Sequence, residues 1–259
     1  MSQIAFSIDQ FSYHPELIEA GTVYHYIKSN IDGSFPARIV IYIRENDQLE
    51  VLKFEEHGMD AALVKAHMDW EVFSAIRLDS WVLTPDGNCR PQASLSSFRK
   101  DSTFTISWQG RSEVVNVGHF PVHLYNFDFI SLNYILRHWN NPKGEVSVGV
   151  LQPNFDPDPD TMMKYDGTVV IQYLEDGDRN EQPCRKYSID GEGLKGHRGM
   201  MWVNREKGII EDIEIPIPDN PDWVDFKFKF ISDEKMNPGQ WTNFMNEEIK
   251  KLKPKASIG

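Results

Sequence analysis

Cysteine is nearly absent from this chain of 259 residues, with Cys89 and Cys184 far apart and in no CxxC spacing. That excludes a disulfide framework and a zinc knuckle, and two reduced thiols are expected. Positive charge is also in deficit: 27 Lys and Arg face 39 Asp and Glu, a net charge of −12. Such a field repels phosphate backbones and anionic membranes, so nucleic acid is excluded as a partner. Long apolar runs are missing too. The longest, such as IVIYI at 39–43, hold about five residues against the ~20 that span a bilayer as a helix. The N-terminal MSQIAFSIDQFSYHPE has neither the basic nor the apolar segment of an export signal. This predicts a cytoplasmic location for the chain as it stands, and a periplasmic one if that end is processed. No GxSxG elbow occurs, since GRSEV at 110–114 lacks the second glycine, and serine hydrolase chemistry has no support.

What the chain has in abundance is period-two alternation. Ile39, Ile41 and Ile43 share one face of an extended segment, as do Phe104, Ile106 and Trp108. Val146, Val148 and Val150 repeat the pattern, then Val169, Ile171 and Tyr173, then Phe226, Phe228 and Phe230 with lysines between them. Turn signals such as Asp32-Gly33, Asp86-Gly87, Gln109-Gly110 and Asp166-Gly167 separate these runs. About a dozen short strands at this spacing predict an all-β fold, a large antiparallel β-barrel or strongly curved sheet, lipocalin-like in broad shape. Residues 1–236 are read as a single β-domain, with 237–259 as a helix and tail packed on it.

Two segments read as helices. Asn237-Pro238 followed by GQWTNFMNEEIKKLK supplies an N-cap, a proline in the first turn and lysines at the C-terminal end, which predicts a helix near 238–252. The other, near 126–139, is apolar on nearly every face, as buried helices are. Asp128 is placed to cap it and Asn140-Asn141-Pro142 to stop it. A short buried helix between runs of strands would close one mouth of a barrel or lie in the hollow of a bent sheet.

The segment DFISLNYILR, residues 128–137, resembles the D-L/V-L/V-S-x-x-Y-x-L/V-R stretch of an uncharacterised bacterial domain family found mostly in envelope proteins. The order of its neighbours, with paired strands before it and an aromatic-centred strand like GMMWVNREKGIIEDIEIPI at 199–217 after it, is similar as well, over roughly residues 20–232. The resemblance implies a curved or barrel-like antiparallel sheet and brings no established activity. The chain departs from the pattern in an insert around 152–166.

Several constellations carry possible chemistry. His119, His123 and His138, with Asp128 as a carboxylate partner, are the donor types zinc or iron favour. Pro121 breaks the helical i, i+4 geometry between the first two, so no metal and no cofactor are expected. GEGLKG at 191–196 matches G-x-G-x-x-G but precedes no helix, which a dinucleotide loop requires. Asp156, Asp158 and Asp160 alternate like calcium ligands, but prolines replace the flexible spacers and no terminal Glu follows.

The leading expectation is a protein that holds a small apolar or aromatic molecule in a barrel lumen closed by the 126–139 helix. Tyr24, Tyr42, Trp70, Trp108, Tyr134 and Trp202 are its candidate contacts. The alternative is a cofactor-independent cyclase, isomerase or hydratase, in which His123 or His138 moves a proton while Asp128 or Arg137 orients it or balances charge. A structural or partner-binding scaffold is the third reading. A monomer or homodimer is expected in each case.

Overall fold

In the computed structural model, residues 5–55, 60–98, 102–124, 127–154, 160–217 and 223–252 are described. The alternating segments become strands. In the N-terminal half these are β1 (Ala5–Phe6), β2 (Thr22–Ser29), β3 (Ala37–Glu45), β4 (Gln48–Glu55), β5 (Ala61–Asp69), β6 (Ser74–Leu83), β7 (Cys89–Phe98), β8 (Thr103–Trp108) and β9 (Arg111–Asn116). Two short strands, β10 (His119–Phe120) and β11 (Val122–Leu124), lead into helix α1 (Ile130–Ile135). After it come β12 (Glu145–Pro153), β13 (Met163–Arg179), β14 (Gln182–Asp190), β15 (Gly199–Asn204), β16 (Ile210–Ile215), β17 (Phe226–Lys235) and helix α2 (Pro238–Lys250).

Fifteen strands form one sheet in the order β11-β12-β13-β14-β15-β16-β17-β2-β3-β4-β5-β6-β7-β8-β9, and β1 pairs with β10 separately. The protein is therefore all-β, built on a strongly curved sheet that does not close through main-chain pairing. Two ladders depart from the antiparallel expectation, because β11 runs parallel to β12 and β1 parallel to β10. Curvature brings the free edges toward other strands, where side chains replace the missing ladder. The Glu113 carboxylate on β9 accepts bonds from the Met162 and Met163 N–H groups at 2.7 and 2.6 Å, and the Val122 N–H on β11 donates to Ser74 Oγ at 2.8 Å.

Alternation sorts the residues into two cores. Toward the hollow point Tyr24 and Tyr26 of β2, Ile39, Ile41 and Ile43 of β3, Leu49 and Val51 of β4, and Phe226 and Phe228 of β17, all packed around α1. Toward the outside point Val23, Val40, Tyr42 and Leu52, covered by α2 through the fully buried Trp241. Trp241 stacks on Tyr42 with centroids 4.9 Å apart and donates from Nε1 to Glu50 Oε2 at 2.8 Å. The expected N-terminus of α2 is present as a capping box, with Asn237 Oδ1 accepting from the Gln240 N–H and Gln240 Oε1 accepting from the Asn237 N–H. Among the described residues no helix is long and apolar enough to cross a membrane.

The inner helix differs from its expected form. α1 covers six residues, all buried, and continues as a single 3-10 turn over Leu136–His138. Asp128 does not cap it. The chain reaches the helix through two successive left-handed residues, Asp128 (φ 48°) and Phe129 (φ 58°), so the capping position falls on Phe129 and no side chain caps the first turn. An N-cap side chain needs an extended backbone to reach back to the N–H groups, and this approach removes that geometry. The Asp128 carboxylate instead pairs with Lys28 and Lys53.

Candidate functional site

α1 lies along the inner face of β2 and meets it at three levels. At its start, Asp128 Oδ1 accepts from Lys28 Nζ at 2.5 Å, while its other oxygen pairs with Lys53. Burial alone would raise the Asp128 pKa, but the two ammonium groups outweigh it and hold the carboxyl below its usual range. In the middle, Asn133 Nδ2 donates to Tyr26 Oη at 3.0 Å, Asn133 Oδ1 accepts from the Ile210 N–H at 2.7 Å, and Tyr26 Oη donates to the Ile210 carbonyl at 3.0 Å. The loop of bonds is closed, so all three buried groups are satisfied. At the end, the Arg137 guanidinium lies 6.0 Å from the Tyr24 ring centroid and 5.6 Å from that of Tyr134, and its Nη1 donates to the Leu17 carbonyl at 2.8 Å.

The space between α1 and β2–β4, bounded by Tyr24, Ile41, Leu49, Ile130, Asn133 and Tyr134, is about 10 Å³. That is room for one water at most. This part of the hollow is a packed core, so the expected ligand space beneath the helix is filled there. Beyond the helix's C-terminal end, however, a cleft of about 500 Å³ opens. It is lined by Tyr24 of β2, Trp139, Tyr187 and Arg185 of β14, Leu17, Arg137 and the hairpin between β15 and β16. Trp139 and Tyr187 face each other with centroids 5.7 Å apart, and Tyr187 Oη is held by the Pro142 carbonyl at 2.7 Å. Burial raises the Tyr187 hydroxyl's pKa and keeps it neutral. Gly208 of the hairpin packs directly on Arg137. Its φ is +64°, and a Cβ there would sit 3.0 Å from Arg137 Cβ, so glycine is what allows the hairpin to approach the end of the helix.

The four candidate catalytic residues do not converge on this cleft. His123 is buried beside Ser131 Oγ at 3.3 Å and the Phe129 ring at 4.4 Å, at the Asp128 end of α1. His138 lies at the other end, where Nδ1 accepts from the His14 N–H at 3.2 Å and Trp70, Tyr13 and Phe73 surround the ring. Burial pushes both pKa values down to about 3, with a smaller push from Arg137 on His138. Both imidazoles are thus neutral near pH 7. His119 is occupied by Ser7 Oγ and the Ser147 carbonyl, each at 3.0 Å. Among the described residues no three His, Cys, Asp or Glu side chains gather as a metal site. Asp156 and Asp158 lie outside the described residues. Of the four, Arg137 alone lines the cleft.

The six candidate aromatics also disperse. Tyr24 lines the cleft. Tyr134 belongs to the core, its hydroxyl donating to the Asn46 carbonyl at 3.1 Å. Tyr42 faces outward under α2. Trp70 sits in the turn after β5, not on a strand, and stacks on Tyr13 at 4.9 Å. Trp202 points outward beneath Arg179, whose guanidinium lies 4.2 Å from its ring. Trp108, 40% exposed, borders a wider groove of about 720 Å³ over β6–β8, where Arg90, Gln92 and Ser94 supply a polar lining. Arg185, Tyr187, Trp139, Lys28 and Lys53 were not singled out from the sequence. Arg185 and Tyr187 sit two apart on one strand, so alternation already places them on one face.

No family model matches the chain, and no curated protein does. Among solved structures it is similar to a domain from Vibrio parahaemolyticus described with outer-membrane lipoprotein sorting, at a TM-score of 0.32 and 10% identity over 89% of this chain and 91% of that one. It is also similar to a Bacteroides fragilis chain described as an exported protein with a YmcC-like fold, at a TM-score of 0.31 and 14% identity over 84% and 97%. Likenesses this loose identify neither a family nor a function.

Proposed function

We propose that the protein binds a small apolar or aromatic molecule in the cleft at the C-terminal end of α1, with Tyr24 and Arg137 among its contacts. The observation that carries this reading is a concave space of about 500 Å³ whose lining includes Tyr24, Trp139 and Tyr187, beside an inner core packed to about 10 Å³. Ligand sites are concave, partly apolar and furnished with a few fixed polar groups. This cleft has that make-up, and Tyr187 in its lining is held by its hydrogen bond to Pro142.

The test is titration with N-phenyl-1-naphthylamine, an uncharged dye that brightens in apolar sites. Saturable binding is expected, and Leu17→Trp should abolish it. Leu17 is 44% exposed at the rim of the cleft, so an indole there fills the space without disturbing the core. Absence of saturable binding, or binding indifferent to Leu17→Trp, refutes the assignment.

A further inference from the structure

The charge of this cleft runs against that of the whole protein. Five Lys and Arg side chains line it against four carboxylates, in a chain whose net charge is −12. The carboxylates are largely engaged. Glu19 lies 2.5 Å from Lys235, Asp233 pairs with Lys207, and Glu16 bonds His14 at 3.0 Å. The attached lysine holds the Glu19 pKa low, so that carboxylate stays ionised and paired. Glu206 is the remaining acid of a lining that also holds Arg137, Arg185 and Arg205. Among the described residues none of these three arginines has a carboxylate within ion-pair distance, although Arg137 feels Glu19 and Arg205 feels Asp176 from further away, and Arg185 shares a hydrogen bond with the Tyr187 hydroxyl.

The hydrogen-bond inventory has the same sign. Arg137 Nε, Arg185 Nε and Trp139 Nε1 are buried donors without an acceptor, and all three belong to residues lining this one cleft. These three atoms are sealed inside the protein, but Arg137 and Arg185 are only partly buried as residues, so a ligand in the cleft would meet their other guanidinium N–H groups. A guanidinium is planar and forked, and the group that matches it is a carboxylate or another oxyanion of similar shape. Aromatic rings and arginines in one lining together describe an amphiphile with one charged end.

We infer that the cleft takes a carboxylate-bearing ligand, its apolar or aromatic body on Tyr24, Trp139 and Tyr187 and its anionic group held by Arg137 and Arg185. This rests on the cleft being the ligand site, and it adds the chemical class. Arg137 is already half-organised for the task, because its Nη1 is fixed to the Leu17 carbonyl. Among the described residues Arg185 makes no ion pair, and its side-chain hydrogen bond is to the Tyr187 hydroxyl in the same cleft.

The experiment is isothermal titration calorimetry of the full chain with matched pairs: indole-3-acetate against indole-3-acetamide, and octanoate against octan-1-ol. Each acid should bind at least tenfold more tightly than its neutral partner. Arg185→Gln should remove most of that preference, the acid of each pair losing at least fivefold more affinity than its neutral partner, and its circular dichroism should match the parent. Equal affinity of acid and neutral member overturns this inference but leaves the cleft a ligand site. If no member of either pair binds in a manner blocked by Leu17→Trp, the site assignment and the inference fall together. Inorganic phosphate binding more tightly than either acid would also overturn it, since the arginines would then be reading a phosphate.

Discussion

Lys28 Nζ and Asp128 Oδ1 lie 2.5 Å apart with both side chains at least nine-tenths buried, and Lys53 closes on the other carboxylate oxygen. Removing the carboxylate would leave two ammonium groups facing each other in a low-dielectric interior. Breaking a buried pair from one side typically costs about 3–5 kcal/mol. Asp128→Ala is therefore expected to lower the stability measured by urea denaturation by about that amount. A variant that unfolds at the same urea concentration as the parent would show that this pairing is energetically idle.

His123 and His138 set the pH dependence. Their folded pKa values, near 3, lie below the value of 6.5 for an unhindered imidazole. Below pH 6.5 the unfolded chain takes up protons that the folded chain refuses, so stability falls as pH drops toward 3 and is level above 6.5. The loss is about 1 kcal/mol per pH unit for each histidine. Asp128 acts in a separate window, because its lowered pKa makes its contribution disappear only below 3.8. Asp212, whose pKa burial raises, acts in the opposite sense just above 3.8. Urea midpoints should therefore decline between pH 6.5 and 4.5, and His123→Gln should flatten that slope whatever it does to stability at pH 7.

Trp241 is the anchor of α2 on the outer face. Its deletion to alanine removes the stack on Tyr42 and leaves Glu50 Oε2 without the indole donor. Large-to-small changes of buried aromatics cost about 3–5 kcal/mol. Trp241→Ala should also speed proteolytic cleavage between 237 and 252, whereas Trp241→Phe should restore most of the protection. Equal cleavage rates in parent and Trp241→Ala would mean that α2 is held by its charged contacts instead, through Arg38 and Glu248.

Glu113 bridges two parts of the sheet that have no shared ladder. Without its carboxylate, the Met162 and Met163 N–H groups lose their acceptors. Hydrogen bonds to a charged group are worth about 1.5–3 kcal/mol, so Glu113→Ala should accelerate hydrogen exchange at those two amides well before the centre of the sheet responds. Uniform acceleration across the sheet would indicate that β9 and β13 are not fastened locally.

The strands were legible because a pleated backbone turns each alternate residue to the same side. Ile39, Ile41 and Ile43 against Val40 and Tyr42 could be separated into two faces from the sequence alone. Which face is concave could not, since curvature is a property of the whole sheet, and Tyr42, expected among the ligand contacts, lies on the outer face. The same alternation placed Lys28 with Tyr24 and Tyr26, and Lys53 with Leu49 and Val51, on the inner face. Two lysines pointing into a core are a signal that a carboxylate must meet them. Read that way, Asp128 would have been recognised as their counter-ion and not as a cap. α2 was legible in full because its signals are local: Asn237, Pro238 and Gln240 act on their own neighbours. The cleft was not, because its parts come from positions between 16 and 235 and meet only through the sheet order.

That order also constrains how the chain can be made. β2, from the beginning of the sequence, pairs with β17, from near its end, in the middle of the sheet, with Ser29 opposite Lys227. The sheet's outer edges, β9 and β11, come from the middle of the sequence. As the protein leaves the ribosome, β2 through β9 can assemble as successive hairpins, but the flank of β2 stays open until β17 has been synthesised. Until then it presents Tyr24 and Tyr26 beside an unpaired backbone, the kind of surface that draws wrong partners. The last eighth or so of the chain, from Phe226 on, is thus the part that ends this exposure, and a ribosome stalled before residue 226 would release an aggregation-prone fragment.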